Sequence, residues 1–276
     1  MGHQHAPAGA DNRALRISAW LTGIYFLVEL GIGLYTESIA VLSDALHTFS
    51  AVGGVVLAAV AGRIAGRAPD RHNTFGGKRA EIIGALFNGL FLLGMAVIVL
   101  GMGAKRLFTP IDLPTGPMLI AAVGGLITEL ISMALLYAGQ KHSLNLSGAF
   151  WHILQTFVGS LIIIVVAVVI QFTDFLIIDP LLGMLFGLVL VYASWGILRD
   201  SVRILMESTP SGVDLDRVRS TLAGLPGVED VHHLHAWTLT SGQDVFSAHI
   251  RHRPEADHGR LLIAAREHLH RDFGFA

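Results

Sequence analysis

Long apolar segments separated by short polar connections dominate the chain as far as about residue 205. A helix needs about 20 mostly apolar residues to cross the hydrocarbon core of a bilayer. The segments that reach this length are Leu15–Tyr35, Ser38–Ala61, Ile82–Gly103, Pro117–Ala138, Ala149–Phe172 and Ile178–Leu198. The pattern therefore predicts a polytopic α-helical membrane protein with six transmembrane helices.

The pattern changes near residue 208, where the chain becomes polar. Apolar residues at helical spacing predict two helices, and alternating residues between them predict two strands. In chain order these elements cover residues 212–224, 228–239, 245–252 and 258–274. An α-β-β-α order predicts a small α+β domain that lacks its last strand. A single core is marginal at this size, so the domain is expected to pack against a partner.

Basic residues in the connections predict the orientation of the helices. The connections that share a side with the N-terminus hold Arg13, Arg16, Arg63, Arg67, Arg71, Lys78, Arg79, Lys141, Arg199 and Arg203. The opposite side holds only Lys105 and Arg106. Because Lys and Arg accumulate on the cytoplasmic side, both termini are predicted to be cytoplasmic. The predicted domains are a flexible, histidine-containing N-terminus (1–12), a transmembrane domain (13–207) and a cytoplasmic domain (208–276).

The composition narrows the class of protein. Hydrophobic residues make up 53% of the chain and charged residues only 14%, whereas soluble domains have about 25% charged residues. A net charge of −2 gives no support for nucleic-acid binding. The absence of cysteine excludes disulfides and thiolate metal sites, which leaves the 14 histidines as the soft-metal ligands. No HExxH pair or nucleophile–base pattern points to an enzyme.

The second predicted helix carries an unusual polar stripe. Asp44 and His47 lie within an apolar segment, followed directly by Thr48 and Ser50. On a helix these side chains cluster through three- and four-residue spacings. Ionisable residues inside a membrane usually face the bundle interior and serve a function. We therefore interpret this segment as one wall of a polar path, with Asp44 and His47 as candidate metal ligands.

Two further acids lie midway along predicted spans, Glu29 in the first and Glu129 in the fourth. One interpretation is that they accept protons or compensate the charge of a cation. The other is that Glu129 hydrogen-bonds a neighbouring helix as a neutral acid. The sequence leaves both open.

Several long motifs in a fixed order resemble the cation diffusion facilitator family, in its zinc-transporter-like branch. They read FLVELGIGLYTESIAVLSDALH, TFGGKRAEIIGALFNGLFLL, SGAFWHILQTFVGS, IDPLLGMLFGLVLVYASWGILRDSVRILMESTP and VEDVHHLHAWTLTSGQDVFSAHI. The resemblance implies a homodimeric secondary transporter of the bacterial inner membrane. It further implies exchange of Zn²⁺ or a similar divalent cation against protons, and a ferredoxin-like cytoplasmic domain that binds metal and dimerises. The divalent metal is then the substrate and a possible regulatory ligand, and no obligatory cofactor is expected.

The resemblance also implies a transport site of two His and two Asp side chains. His47 and His152 match the two His positions, whereas Ala51 and Thr156 stand at the two Asp positions. Two neutral imidazoles supply neither four ligands nor charge compensation for Zn²⁺. Thr156 and the neighbouring Gln155 offer neutral oxygens. The alternative is that the two histidines satisfy each other or a serine across a helix interface.

The cytoplasmic segment holds more than half of the histidines in the chain. The resemblance makes His232, His235 and His249 candidate metal ligands. Strand alternation puts His233 and His235 on one face and His232 on the other. The alternative is a set of solvated surface histidines.

Two functional hypotheses follow from these residues. The first is a proton-coupled divalent-cation exporter with an altered transport site, which rests on His47 and His152. The second is a non-transporting, metal-sensing or regulatory relative that keeps the fold, which rests on Ala51 and Thr156.

Overall fold

The computed structural model describes residues 8–137 and 144–275. Within these ranges the elements follow one another as six long helices and then a short helix, two strands and a last helix. They are α1 (Ala8–Thr36), α2 (Ile39–Ala65), α3 (Ala80–Phe108), α4 (Thr115–Tyr137), α5 (Leu144–Thr173), α6 (Ile178–Leu205), α7 (Leu215–Ala223), β1 (Val228–Thr240), β2 (Gln243–His252) and α8 (His258–Phe273). The predicted α-β-β-α order of the cytoplasmic segment is confirmed.

Five of the described helices, α1, α3, α4, α5 and α6, are long and apolar enough to cross a membrane. Helix α2 has 27 residues, but several of its side chains lie outside the described part, so its crossing stays a prediction. The helices extend beyond the predicted spans because hydropathy marks only the apolar part of a helix. In particular, α1 begins at Ala8, so residues 8–12 are helical rather than part of a flexible N-terminus. The remaining residues of that predicted segment, with His3 and His5, lie outside the described residues.

The chain divides into two compact units. The first contains the residues up to Val56 together with Asn88–Gly196. In this unit α4 packs against both α5 and α1. Small and branched side chains fill the interface because they let helices approach closely; the core includes Val41, Met118, Ala121, Ala122, Ile163, Val166 and Ala167. Many large apolar side chains on the other faces are exposed, as expected for surfaces in contact with lipid.

The first turn of α2 is held in place by two side chains. The Ser38 hydroxyl accepts a hydrogen bond from Val41 N at 3.2 Å, as an N-cap does. Asp179, from the start of α6, accepts hydrogen bonds from Ser38 Oγ at 2.5 Å and from Ile39 N at 2.7 Å. A Cβ on Gly183 would lie 2.8 Å from the Ile39 carbonyl carbon, so only glycine permits this approach of α6 to α2. These contacts fix the start of the helix that carries Asp44 and His47.

The second unit contains Leu57–Phe87 and the residues from Ile197 onward. It is larger than the predicted domain 208–276 because the connection between α2 and α3 belongs to it. Strands β1 and β2 form an antiparallel two-stranded sheet. Helices α7 and α8 cover one face of this sheet; the core between them includes Val218, Leu222, Val231, Ala236, Ala265 and Phe275. Two strands within the described residues do not by themselves define a ferredoxin-like sheet.

The turn between β1 and β2 makes polar contacts with the start of α3, inside the second unit. Lys78 donates a hydrogen bond of 2.5 Å to Gln243, and Thr240 donates one of 2.5 Å to Glu81. These contacts tie the connection between α2 and α3 to the hairpin.

Candidate metal centre

The two histidines that the sequence singles out are neighbours in space. The ring centroids of His47, on α2, and His152, on α5, are 5.0 Å apart. The His47 ring is buried and also lies edge-on to Phe186 of α6, at 5.5 Å. Within the described residues, both ring nitrogens of His47 and Nε2 of His152 have no hydrogen-bond partner. Buried polar atoms are nearly always satisfied, so these imidazole nitrogens are available to a metal ion or to water.

The two positions at which the family pattern expects Asp are Ala51 and Thr156, and the structure describes the side chain of only the second. The side chain of Ala51 lies outside the described residues. Thr156 is buried, and its hydroxyl donates a hydrogen bond of 2.9 Å to the Ile153 carbonyl of its own helix. Gln155 is exposed, and its side chain points about 100° around α5 from that of Thr156. The structure therefore does not bring Gln155 into the site.

Glu129 of α4 lies directly beside Thr156. The Glu129 carboxyl accepts a hydrogen bond of 3.1 Å from Ser160, one turn further along α5, and lies near the Thr156 hydroxyl. Its second oxygen, Oε2, is buried and has no partner among the described residues. The site thus has a carboxylate next to the position at which the family pattern expects Asp, supplied by a different helix.

A second pair of acids lies close to this region. The carboxyl groups of Glu29, on α1, and Asp44, on α2, are near enough to share a hydrogen bond when one of them is protonated. Both are almost fully buried, at 1% and 2% exposure, and each has one oxygen without a partner in the described part of the chain. The Asp44 carboxylate fills the space where Gly159 has no side chain, since a Cβ there would lie 2.6 Å from Asp44 Cγ. Asp44 therefore interacts with Glu29 and α5 rather than completing the histidine pair.

The chemistry of this arrangement combines two kinds of ligand. Neutral imidazole nitrogens bind Zn²⁺ and related transition metals, and carboxylates can carry protons or compensate positive charge. Among the residues that the structure describes, no group of three or more His, Asp or Glu side chains is arranged to hold a metal ion. The pair His47–His152 is therefore an incomplete coordination set in this conformation. A third ligand requires a side chain to move or water to enter.

In the cytoplasmic segment a β-bulge overrides the alternation that the sequence predicts. The register of β1 and β2 shifts between His232 and His235, and His233 has a left-handed backbone with φ 52°. As a result the rings of His232 and His233 both contact His249, with centroids 5.6 and 5.4 Å away. His235 instead lies opposite Ser247. The structure brings His232 and His249 together as expected, but His233 rather than His235 is their neighbour.

Asp230 accompanies this histidine group, with Oδ2 2.8 Å from Nδ1 of His232. A carboxylate in this position fixes the tautomer of the ring and leaves Nε2 free for a ligand.

The sequence did not single out three residues without ionisable side chains that shape the transmembrane site. Gly159 makes room for Asp44, Ser160 orients Glu129, and Phe186 covers His47. The seven-residue separation of His152 from Gly159, about two helical turns, is the one signal that could have placed Gly159 on the same face.

The helices that can cross a membrane, the buried His pair and the small cytoplasmic domain together define an integral membrane protein of the transporter class. A family model of the cation efflux transmembrane domain matches residues 15–206, and a model of the cation efflux protein cytoplasmic domain matches residues 210–276. The chain belongs to the cation efflux (cation diffusion facilitator) family, whose members are transporters of metal cations rather than enzymes.

Three relatives illustrate the similarity over nearly the whole chain. The cation efflux system protein CzcD of Alcaligenes sp. (strain CT14) is 37% identical over 249 residues, which cover 90% of this chain and 79% of the relative. The cadmium, cobalt and zinc/H(+)-K(+) antiporter of Bacillus subtilis (strain 168) is 32% identical, with coverage of 90% and 80%. The zinc transporter ZitB of Escherichia coli (strain K12) is 30% identical, with coverage of 98% and 88%.

Proposed function

We propose that this protein moves a divalent metal cation, Zn²⁺ or a similar transition metal, out of the cytoplasm in exchange for protons. The observation that carries the proposal is the contact between His47 and His152, whose buried ring nitrogens have no hydrogen-bond partner among the described residues. The names of the relatives, which include zinc transport and antiport of cadmium, cobalt and zinc against H⁺ and K⁺, favour the same class of substrate.

We further propose that Glu129 replaces the charge that the two missing Asp ligands would supply. Its unpartnered oxygen and its position beside Thr156 support this role. A metal with two positive charges then meets two imidazoles and one carboxylate, with Thr156 or water as the fourth ligand. Because imidazole binds metal only without its second proton, cation binding displaces protons from the site. Glu29 and Asp44 are the nearby acids that can receive and pass on those protons.

The proposed architecture contains six transmembrane helices, with α2 as the sixth, and both termini in the cytoplasm. The proposed domains are an N-terminal segment (1–12), whose last five residues begin α1, a transmembrane domain (13–207) and a cytoplasmic domain (208–276). The protein is proposed to be a homodimer in the inner membrane of a bacterium. The cytoplasmic domain forms the contact between the two subunits. Its His232 and His249, with His233 in the place predicted for His235, form a regulatory metal site.

Proteoliposomes test the transport activity. Purified protein is reconstituted with a pH gradient, and uptake of Zn²⁺, Co²⁺ and Cd²⁺ is followed with a metal-sensitive dye inside the vesicles. We expect uptake that depends on the gradient and that is abolished by His47→Ala or His152→Ala. His72→Ala, in an exposed connection, is the matched control and should transport normally. Failure of all three metals to move under the gradient would refute the proposal.

The second candidate is a metal-sensing relative that binds cations without moving them. Thr156 favours it, since a hydroxyl that already donates to Ile153 is a poor substitute for a carboxylate. In that case the unaltered protein binds Zn²⁺ but shows no uptake, and the double variant Ala51→Asp/Thr156→Asp gains uptake. Full transport by the unaltered protein would exclude this candidate.

A further inference from the structure

Two histidines outside the sites described above meet at the edge of the cytoplasmic segment. His252 is the last residue of β2, and His258 is the first residue of α8. Their ring centroids are 4.1 Å apart, with an interplanar angle of 55°. Only the five residues 253–257 separate them in the chain, so a ligand bound to both would close a short loop. Neither belongs to the group of His232, His233 and His249.

The pair lies on the opposite face of the hairpin from that group. Phe246, Ala248 and Ile250 pack against the core beneath α7 and α8. Successive residues of a strand point to opposite faces, so His252 continues this inner row, whereas His249 points outward. His252 therefore reaches the edge of the core where α8 begins. A metal at this edge would not share ligands with His249.

The hydrogen bonds of the pair leave ligand atoms free. Nδ1 of His252 lies 2.8 Å from the carbonyl oxygen of Arg253. A carbonyl only accepts, so Nδ1 donates the hydrogen bond, and Nε2 keeps an unshared electron pair. This is the arrangement in which a backbone carbonyl orients a metal-binding histidine. In the part of the chain that the structure describes, no hydrogen bond or ion pair occupies the ring nitrogens of His258.

We propose that His252 and His258 form a separate binding site for a divalent transition metal such as Zn²⁺. Two nitrogens that bind one Zn²⁺ at 2.0–2.1 Å with tetrahedral geometry are about 3.4 Å apart, which two touching rings reach by side-chain rotation. Water fills the remaining positions because His258 is exposed. Imidazole ligands favour Zn²⁺, Cu²⁺ and Ni²⁺ over Mg²⁺ and Ca²⁺.

The expected consequence is a metal-dependent link between the end of β2 and the start of α8. A ligand that binds only the folded state stabilises that state, and the stabilisation grows with the logarithm of the ligand concentration above Kd. The cytoplasmic domain is small, with a two-stranded sheet and two helices in the described residues, so such a link matters there. The site then responds to the cytoplasmic metal concentration independently of the transmembrane histidines.

Site-resolved labelling of the full-length protein in detergent tests the proposal. Diethyl pyrocarbonate modifies free imidazole nitrogens, and mass spectrometry of the peptides reports each histidine separately. With Zn²⁺ present at about ten times Kd, only about one site in ten stays free, so we expect the modification of His252 and His258 to fall by about tenfold. His268, which is paired with Asp272 on the same helix, is the internal control and should change little. Equal labelling of His252 and His258 with and without Zn²⁺ would overturn the proposal.

Equilibrium binding of Zn²⁺ gives a second readout on the same protein. The variant His252→Gln/His258→Gln should lose about one Zn²⁺ per chain, whereas the matched variant His268→Gln should lose none. An unchanged melting temperature without metal would show that both variants fold. Unchanged stoichiometry in the first variant would overturn the proposal. The result is independent of transport, because His47→Ala removes uptake while leaving protection of His252 and His258 intact.

Discussion

Glu129 on α4 accepts a hydrogen bond of 3.1 Å from Ser160 on α5, one turn beyond Thr156. This contact joins the two helices about two turns along α5 from His152 and one turn from Thr156, the position where the family pattern expects Asp. One oxygen of Glu129 is satisfied by Ser160, and the other remains without a partner among the described residues. In the proposed function, this free oxygen lets a carboxylate from α4 take the place of one missing from α5.

A first prediction concerns the replacement of Thr156 by Asp. In Thr156→Asp two buried carboxyl groups become neighbours, and an unpaired buried charge costs about 3–5 kcal/mol. We therefore expect a lower melting temperature in detergent and lower Zn²⁺ uptake than in the unaltered protein. Thr156→Asp/Glu129→Asn removes the repulsion, and both quantities should recover. If the single variant is as stable as the double variant, Glu129 does not face Thr156 in the folded protein.

The close approach of Asp44 to α5 gives a second prediction. A methyl group on residue 159 would overlap the Asp44 carboxylate, so Gly159→Ala should destabilise the protein by about 1–3 kcal/mol, as overpacking does. Gly31→Ala is the matched control, because a Cβ there meets nothing within 4 Å. Thermal unfolding in detergent measures the difference. Equal melting temperatures for the two variants would contradict the placement of Asp44.

The cap of α2 supplies a third prediction. Asp179→Ala removes the acceptor for Ile39 N and Ser38 Oγ, so the start of α2 loses about 0.5–2 kcal/mol of stabilisation. We expect a lower melting temperature and slower uptake, because the helix that carries His47 is less firmly held. Asp179→Asn keeps one acceptor oxygen, so its melting temperature should lie between those of the unaltered protein and Asp179→Ala. Asp112→Ala, at an exposed position, is the control for the loss of a carboxylate.

The fourth prediction separates the two histidines from the nearby acids. Removing a residue that hydrogen-bonds a metal ligand lowers metal affinity by about 10–100-fold. Removing a ligand itself should lower the affinity by at least the same factor. His47→Ala and His152→Ala should each lower the affinity for Zn²⁺ at the transmembrane site by this amount. Glu29→Gln should instead change how transport depends on the pH gradient, with little effect on affinity. A large loss of affinity in Glu29→Gln would make Glu29 a ligand.

The last prediction concerns pH at the end of α8. Arg271 and His268 hold the pKa of the Asp272 carboxyl well below its usual range, which in an unfolded chain is about 3.9. A depressed pKa contributes stability above the unfolded value, and that contribution is lost as the pH falls towards the folded value. The difference in melting temperature between the unaltered protein and Asp272→Asn should therefore shrink below about pH 4. A difference that grows on acidification would contradict the contacts of Asp272.

The sequence by itself determined the apolar helices, the order of elements in the cytoplasmic segment and the family. Each of these depends on local periodicity or on motifs, which can be read along the chain. The motifs also placed His47 and His152 on ligand positions, and the structure brings their rings together. These features were accessible because hydropathy and helical spacing are properties of neighbouring residues.

Only the tertiary structure decided which residues surround the histidines. Gln155 follows His152 closely in sequence, yet its side chain is exposed, whereas Glu129 comes from another helix and lies near Thr156. Likewise, because of the bulge in β1, the ring next to His249 is that of His233 and not that of His235. The physical reason is the same in both cases. Contacts between elements depend on how helices rotate and how strands register, and these are set by packing of the whole unit rather than by any local pattern.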